Sequence, residues 1–480
     1  MNSTRHSALF LSLALAIGCG ESYSEGYGGG YPGGGPGGDY GVTAGGAQDI
    51  GYARDIISQG GVPQATDIAI EGLLSEHDIA PLGPACDSLL CARPALAWAP
   101  DLATGDMAYW LHLGMTSGLS RSEFVRPPLD VVVAIDKSAS MAIDMTETNE
   151  AVTRLIDNLR EDDRLAVLAF DSQVQLLHEL GPVTDRAALK NQVHAIEAGG
   201  SWDLERGVGQ AYDILREQSN EPGRMRRVMV LSCGYPILDG SGQDPFSQMV
   251  SDGARAGVGL SFFGVLLGYN ADLADFLGRQ MGGAFYYLES LDRVVEVFDT
   301  DFDTMVTPLA YNLAIALSLN DSFRMTHLFG VPGAPDQTTS YDSEVTTAFL
   351  SNRRGALVAR LDRTDAGEIA EVGSLALSYL PEPALGWTAA EEQFADIAVP
   401  AVQPDTPYFA GAGARKAVAL VNLGRQLQSA CASYHRGSRS MAREMLQELA
   451  AYLSAEAEAM NDPGLAEEVE LVAALIDNMD

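Results

Sequence analysis

The segment that determines the fold is Pro128-Leu-Asp-Val-Val-Val-Ala-Ile-Asp136-Lys-Ser138-Ala-Ser140-Met141. Five apolar residues run directly into a carboxylate and two hydroxyls, with the spacing D-x-S-x-S. A continuous apolar run of this kind is typical of a strand that is buried on both faces of a parallel sheet. Because such sheets bind ligands at the carboxyl ends of their strands, the segment predicts a strand that carries oxygen ligands to that edge.

The following residues predict strands that alternate with helices. The predicted strands cover 165–170, 228–231, 260–266 and 284–288, and the predicted helices cover about 141–159, 185–198, 204–218, a stretch near Met249, and 291–298. Alternation of this kind requires helices on both faces of a parallel sheet. We therefore predict an α/β fold with a doubly wound, mostly parallel, Rossmann-like sheet.

Asp136, Ser138 and Ser140 are the first candidate metal ligands. One tight loop can present their oxygens to a hard cation such as Mg²⁺, which takes about six oxygen ligands in octahedral array. In this position the motif resembles the metal-ion-dependent adhesion site of von Willebrand factor A domains. The resemblance implies an A-domain fold over residues 126–302 and binding of other proteins at the carboxyl edge.

Two ligands that the resemblance implies are replaced in this sequence. A loop of the form Gly-Gly-Ser-Thr should supply a hydroxyl, but Trp202 stands at the threonine position. Another loop, of the form Thr-Asp-Gly, should supply a carboxylate, but Cys233 stands at the aspartate position. Indole cannot ligate a hard cation, and a thiol suits softer metals. We predict a degenerate site with no firmly held cofactor; a weakly bound Mg²⁺, helped by Asp203 or Glu205, is the alternative.

The N-terminus predicts export and lipid anchoring. Residues 1–18 combine Arg5 with an apolar stretch too short to span a bilayer, which indicates a signal peptide. Cys19 follows small residues as in a bacterial lipobox, so we expect it to be lipidated; a plain secretory signal is the alternative. Residues 19–47 are rich in Gly, Pro, Tyr and Ser, a composition that favours a disordered tether.

Two other regions flank the predicted A domain. Alternating apolar residues predict half-buried strands in the N-terminal segment 48–125, at Tyr109–Met115, and in a β region 303–400, at Leu313–Leu319, Leu357–Leu361 and Leu375–Tyr379. We expect these strands to form a single β-sandwich. Residues 401–480 carry apolar stripes at three-and-four spacing, which predict three short helices.

Composition limits the partners and the compartment. Lys and Arg number 30 against 65 for Asp and Glu, a net charge of −35. This excess repels nucleic acid and anionic lipid, so we expect neither as a ligand. Cys86 and Cys91 are close enough in sequence to form a disulfide in an oxidising compartment, although spacing alone does not fix the geometry.

Over residues 60–480 the order of these parts resembles bacterial A-domain lipoproteins of the YfbK type. The resemblance is carried by residues 126–136, Glu161-Asp-Asp-Arg-Leu-Ala-Val167, residues 257–265 and the helical tail. It implies a cell-envelope location, with the outer membrane or cell surface favoured, and protein binding.

Three functions are compatible with the sequence. The favoured one is a non-enzymatic module that binds another protein, largely without metal, through Trp202, Asp203 and Cys233. The second is Mg²⁺-dependent adhesion, in which a partner's carboxylate completes the coordination. The third is an enzyme with Cys233 as nucleophile, which would need a base that no histidine clearly supplies.

Overall fold

The computed structural model describes residues 39–218, 221–265, 270–331, 340–364, 371–387, 391–398 and 406–479. The predicted signal peptide, Cys19 and tether residues 20–38 lie outside these ranges. The strands are β1 (Asp39–Ala44), β2 (Gly46–Ala47), β3 (Cys91–Asp101), β4 (Asp106–Ser120), β5 (Leu129–Asp136), β6 (Arg164–Phe170), β7 (Val174–Gly181), β8 (Met225–Ser232), β9 (Gly259–Val265), β10 (Gly283–Leu288), β11 (Pro308–Leu319), β12 (Phe323–Phe329), β13 (Ser340–Ser351), β14 (Ala356–Arg363), β15 (Glu371–Pro381), β16 (Glu391–Ala398) and β17 (Tyr408–Phe409).

The helices complete the description. They are α1 (Gly51–Ser58), α2 (Ile70–Glu76), α3 (Met145–Asn158), α4 (Arg186–His194), α5 (Leu204–Arg216), α6 (Pro245–Arg255), α7 (Ala271–Gly278), α8 (Leu291–Val295), α9 (Phe302–Met305), α10 (Ala412–His435), α11 (Arg439–Met460) and α12 (Pro463–Asn478). One turn of π-helix, Glu296–Thr300, joins α8 to α9.

The central sheet has the strand order β2-β10-β9-β8-β5-β6-β7. Neighbouring strands are parallel except β6 and β7, so the predicted doubly wound, mostly parallel sheet is confirmed. All residues of β5 are buried because helices cover both faces. Val131 and Val133 pack with α3 on one face, and Val132 packs with α5 on the other. The antiparallel edge strand β7 was not predicted, since its side chains are half exposed and lack a continuous apolar run.

The α/β domain begins and ends at adjacent points. Arg126 is buried and donates hydrogen bonds to both carboxylate oxygens of Asp163, at 2.7 and 3.1 Å. Its Nε also donates to Asp303 at 2.8 Å, just after the chain leaves the domain. This double ion pair ties the entry of the domain to its exit, so the chain on either side can fold into one unit.

The flanking strands form a second, antiparallel sheet with the order β12-β14-β4-β1-β13-β11-β15-β16, extended by β3 and β17. As expected, upstream and downstream strands pair directly, for example Tyr109 of β4 with Leu361 of β14. The sheet curves around one apolar core shared by β4, β11, β14 and β15. Strand β16 contacts β3, so the predicted sandwich is one continuous sheet that curls back on itself.

The tether prediction requires a correction for residues 39–47. Strand β1 fills the gap between β4 and β13, and β2 adds a parallel strand beside β10. Composition alone concealed this, because backbone hydrogen bonds rather than aliphatic side chains hold most of the segment. Gly41 illustrates the reason for glycine here: a Cβ at this position would lie 1.8 Å from the carbonyl oxygen of Arg353. The same short segment therefore joins both sheets.

The three predicted C-terminal helices are present, but α10 and α11, with 24 and 22 residues, are long rather than short. Gly437 takes a left-handed conformation, φ +86°, between α10 and α11. Asp462 caps α12 by accepting a hydrogen bond from the backbone N–H of Leu465, with Pro463 at the first helical position. Helix α10 lies on β3 and β4, and its apolar side chains share a core with α2, α11 and α12. In the described residues no helix is long and apolar enough to cross a membrane.

Candidate functional site

The first loop of the candidate site follows β5 at the carboxyl edge of the central sheet. Asp136 is fully buried, and its Oδ1 accepts a hydrogen bond of 2.8 Å from the backbone N–H of Ser138. The hydroxyls of Ser138 and Ser140 share a hydrogen bond of 2.9 Å. Ser140 is exposed, so the three predicted ligands form a short polar path from the buried sheet edge to the surface.

The second loop follows β8, the strand next to β5. The Ser232 hydroxyl donates to Asp136 Oδ2 at 2.6 Å, and the Cys233 thiol donates to Ser140 Oγ at 3.2 Å. The backbone N–H of Cys233 points to the Met141 sulfur at 3.2 Å. The two loops are thus joined by direct contacts, and Cys233 does lie beside the D-x-S-x-S loop.

The third loop, residues 199–203, carries Trp202. Two backbone hydrogen bonds attach this loop to the first: Gly199 N–H to the Lys137 carbonyl at 2.7 Å, and Ala139 N–H to the Gly200 carbonyl at 3.1 Å. The Trp202 indole covers Gly234, where a Cβ would lie 2.5 Å from Nε1. The side chain still exposes 40% of its surface. Trp202 therefore covers the backbone of the second loop with part of its ring and exposes the remainder to solvent.

Asp203 lies at this edge, but its carboxylate is engaged elsewhere. One oxygen accepts the backbone N–H of Arg206 at 3.1 Å and caps α5, while the other pairs with the Arg206 guanidinium at 2.9 Å. The substitute-ligand role considered for Asp203 would require both contacts to break. Asp203 instead serves as the N-cap of α5, the helix that follows the loop.

The residues at this edge do not fit a tightly held Mg²⁺. Both oxygens of Asp136 already accept protein donors, and thiol and indole stand where the resemblance implies a carboxylate and a hydroxyl. Within the described ranges, no group of three carboxylate, imidazole or thiol ligands converges here. A hard cation that sheds its waters reluctantly gains too few oxygens in return.

Sequence reasoning missed Ser232 and Asp144. Asp144 follows the D-x-S-x-S loop after one 3₁₀ turn and exposes only 3% of its surface. Burial raises its pKa to about 6, and the charge of Glu147 adds to the effect. In the sequence, only the position of Asp144 directly before the predicted helix indicated that it could belong to the site. Ser232 could have been noted as the hydroxyl one residue before Cys233.

Cys233 lacks the features of an activated nucleophile. Burial raises the pKa of its thiol, and the charges of Asp136 and Asp144 raise it further, against a hydrogen bond with Ser140. Reactive cysteines need a lowered pKa and an electropositive surrounding. The Cys233 thiol is therefore protonated at neutral pH, and its surroundings are electronegative.

One other group of potential metal ligands lies away from this edge. Glu76, His77 and Glu468 place their ligand atoms within 4.8 Å of one another. Arg54 bonds both carboxylates, at 2.5 and 2.6 Å, so a cationic side chain already supplies the positive charge. This group is a buried ion cluster that joins the N-terminal segment to α12.

Cys86 and Cys91 are joined by a disulfide with a Cα–Cα distance of 5.7 Å. The bridge closes a short loop in front of β3 and is distant in sequence from all three loops of the candidate site. The disulfide therefore stabilises the second, antiparallel sheet rather than the candidate site. Cys19, the predicted lipidation site, falls outside the described residues.

Comparisons with known proteins agree with the fold of the central domain. Residues 130–300 match the family model of the von Willebrand factor type A domain. The chain is 24% identical over 335 residues to the protein sll0103 of Synechocystis sp., covering 67% of this chain and 78% of that one. It is 23% identical to YfbK of Escherichia coli (strain K12) over 202 residues. This match covers 41% of this chain and only 35% of the length of YfbK.

The same fold occurs in a solved structure. The von Willebrand factor type A protein from Catenulispora acidiphila superposes with a TM-score of 0.51 at 15% identity, covering 79% of this chain and 89% of that one. The central α/β unit of this chain is therefore a von Willebrand factor type A domain, and the chain is homologous to YfbK.

Proposed function

We propose that this chain is a docking protein that binds another protein through the carboxyl edge of its von Willebrand factor type A domain, largely without metal. We call this surface the docking face and define it by Ser140, Ile143, Asp144, Trp202, Cys233 and Ile237. Domains of this type commonly mediate protein–protein interactions, and the domain match supports that general role here.

The observation that carries the proposal is the set of large apolar side chains around a closed polar centre. Ile143 and Ile237 expose 85% and 87% of their surface on the first and second loops. Trp202 adds a partly exposed indole on the third. Exposed aromatic and aliphatic side chains on the loops of one sheet edge are candidate anchors for an interface. Each carboxylate oxygen of Asp136 has a protein donor, so Asp136 does not depend on a cation to compensate its burial.

The same face supports a second candidate, Mg²⁺-dependent adhesion. Asp136, Ser138 and Ser140 are all present, and Asp144 brings a carboxylate close to Cys233. In that mechanism the partner's own carboxylate would complete the coordination of the cation. Binding that is abolished by EDTA and restored by MgCl₂ would favour this candidate over the metal-free one.

We also propose that the chain is lipid-anchored through Cys19 in a bacterial cell envelope, with the outer membrane or cell surface favoured. The Cys86–Cys91 disulfide supports an oxidising compartment. Mass spectrometry of the membrane fraction tests the anchor: a diacylated Cys19 supports it, and an unmodified Cys19 or a cleavage elsewhere contradicts it.

The docking role is tested by cross-linking in intact envelopes followed by capture of the chain. We compare the wild type with Trp202→Ala and with Trp387→Ala. Trp387 lies outside the α/β domain and exposes 37% of its surface, so it is a matched control. A specific cross-linked partner should be lost only with Trp202→Ala and should survive EDTA. Equal capture by all three proteins would contradict the proposal.

A further inference from the structure

The charges of the docking face are unbalanced. Its two cationic neighbours are already paired, Lys137 with Asp171 at 2.5 Å and Arg206 with Asp203 at 2.9 Å. In contrast, Asp136, Asp144, Glu147 and Asp239 take part in none of the ion pairs found among the described residues, and all four belong to the first and second loops or the helix directly after them. The face therefore carries surplus negative charge.

Two of these carboxylates are largely shielded from solvent and take part in no ion pair among the described residues. Asp144 exposes 3% of its surface. Glu147 Oε2 is buried without a hydrogen-bond partner. Burying a charge costs free energy unless an opposite charge or a donor compensates it. A ligand that brings positive charge to this place would remove that cost.

We infer that the docking partner presents a lysine or arginine side chain, flanked by apolar residues, to the centre of the docking face. The inference rests on the proposed function and specifies the chemistry of its partner. The basic side chain would supply the positive charge that Mg²⁺ would otherwise provide, and it would approach Ser140 and Asp144 between the three loops.

The apolar rim explains why the partner should be a protein segment rather than a free cation. Ile143 and Ile237 can cover the aliphatic stem of a long basic side chain and its neighbours. The exposed ring of Trp202 can receive an ammonium or guanidinium group over its face. Charge complementarity of this kind fixes partner choice and register, while the apolar contacts supply most of the affinity.

The test selects a random peptide library on the purified full chain in the presence of EDTA. The chain contains four tryptophans, so labelling with 5-fluorotryptophan gives resolvable ¹⁹F signals, and Trp202→Phe identifies the one that reports on the docking face. We expect enriched peptides to carry Lys or Arg between apolar residues and to shift the Trp202 signal. Replacing that basic residue by norleucine should weaken binding at least about tenfold, as expected for the loss of a charged hydrogen bond.

Variants separate charge at this site from charge in general. Asp144→Asn should weaken binding of the basic peptide by about the same factor, whereas Glu448→Gln, the matched control on the exposed side of α11, should leave it unchanged. Acidic or uncharged peptides that shift the Trp202 signal, or equal binding of the norleucine peptide, would overturn the inference and leave the docking role intact. If no selected peptide shifts that signal, both proposals fail.

Discussion

The Ser232 hydroxyl donates a hydrogen bond of 2.6 Å to Oδ2 of Asp136. The other carboxylate oxygen accepts the Ser138 N–H, so each oxygen of this buried side chain has a protein donor. A carboxylate left without donors in this position would be costly unless a cation were bound. The hydrogen bond from Ser232 thus compensates the buried Asp136 carboxylate without a cation, as the proposed metal-free docking role requires.

Magnesium binding should be weak and recoverable by substitution. We expect no heat of binding when the wild type is titrated with micromolar MgCl₂. The double variant Trp202→Thr/Cys233→Asp restores a hydroxyl and a carboxylate beside Asp136, and it should bind Mg²⁺ at least about tenfold more tightly because it adds a charged oxygen ligand. Calorimetric titration measures both. Micromolar affinity in the wild type would contradict the metal-free description.

The ionised carboxylate of Asp144 should lower the free energy of unfolding at neutral pH. Burial, with the charge of Glu147, raises its pKa to about 6 from an ordinary value of 3.8. For a raised pKa, the stabilising contribution is complete below pH 4 and is lost as the pH rises through 6. Asp144→Asn should therefore raise the free energy of unfolding by about 1 kcal/mol above pH 6, after allowance for solvent screening, and by almost nothing below pH 4.

Thermal unfolding at pH 4 and pH 8 checks this expectation. Asp106→Asn makes the same chemical change at an exposed position of β4 and serves as the control. A gain in Asp144→Asn that is equal at both pH values would show that ionisation of Asp144 is not its cause.

Cys233 should react slowly with thiol reagents. It exposes 4% of its surface, and burial raises the pKa of its thiol. We expect iodoacetamide at pH 8 to label native Cys233 far more slowly than the unfolded chain, at a rate comparable with that of buried Cys431, whose pKa is raised to about 12. Mass spectrometry of digested samples gives both rates. Rapid, selective alkylation of Cys233 would contradict this expectation and support the alternative in which Cys233 is an enzymatic nucleophile.

Most of the α/β domain could be predicted from the sequence because its strands are buried on both faces. Residues 131–135 allow hardly any other interpretation, and the helices between the strands carry clear apolar stripes. Strand β7 and residues 39–47 could not be predicted in the same way. Strand β7 pairs with β6, the strand directly before it, but its side chains are half exposed. Residues 39–47 are placed by backbone pairing with strands distant in sequence, which leaves little trace in side-chain composition.

The same limit applies to the candidate site. The loop order placed Asp136, Ser140 and Cys233 together correctly, since parallel strands deliver their following loops to one edge. The Ser232 hydrogen bond, the capping role of Asp203 and the burial of Asp144 depend on side-chain directions within those loops. Such directions are set by tertiary contacts rather than by spacing along the chain.

The buried ion cluster at α12 should be essential for joining the C-terminal helices to the N-terminal segment. Glu468 is fully buried and accepts hydrogen bonds from Arg54 at 2.6 and 3.2 Å and from His77 at 2.9 Å. Burial opposes its ionisation, but the Arg54 charge and these hydrogen bonds prevail and lower its pKa to about 2. For a lowered pKa, the stabilisation is present above the ordinary value of 4.5 and is lost only as the pH falls through 2.

Glu468→Gln should therefore destabilise the fold by about 3 kcal/mol at pH 7, because it removes one of the two carboxylates of the partly buried Arg54 and the charged acceptor of the fully buried His77. Glu468 is ionised at pH 7 in both the folded and the unfolded chain, so the full loss should be present there. Glu470→Gln, on the exposed side of the same helix, is the control. Urea unfolding measures both variants, and equal midpoints would mean that packing of α12 against α1 and α11, rather than this cluster, holds the helix in place.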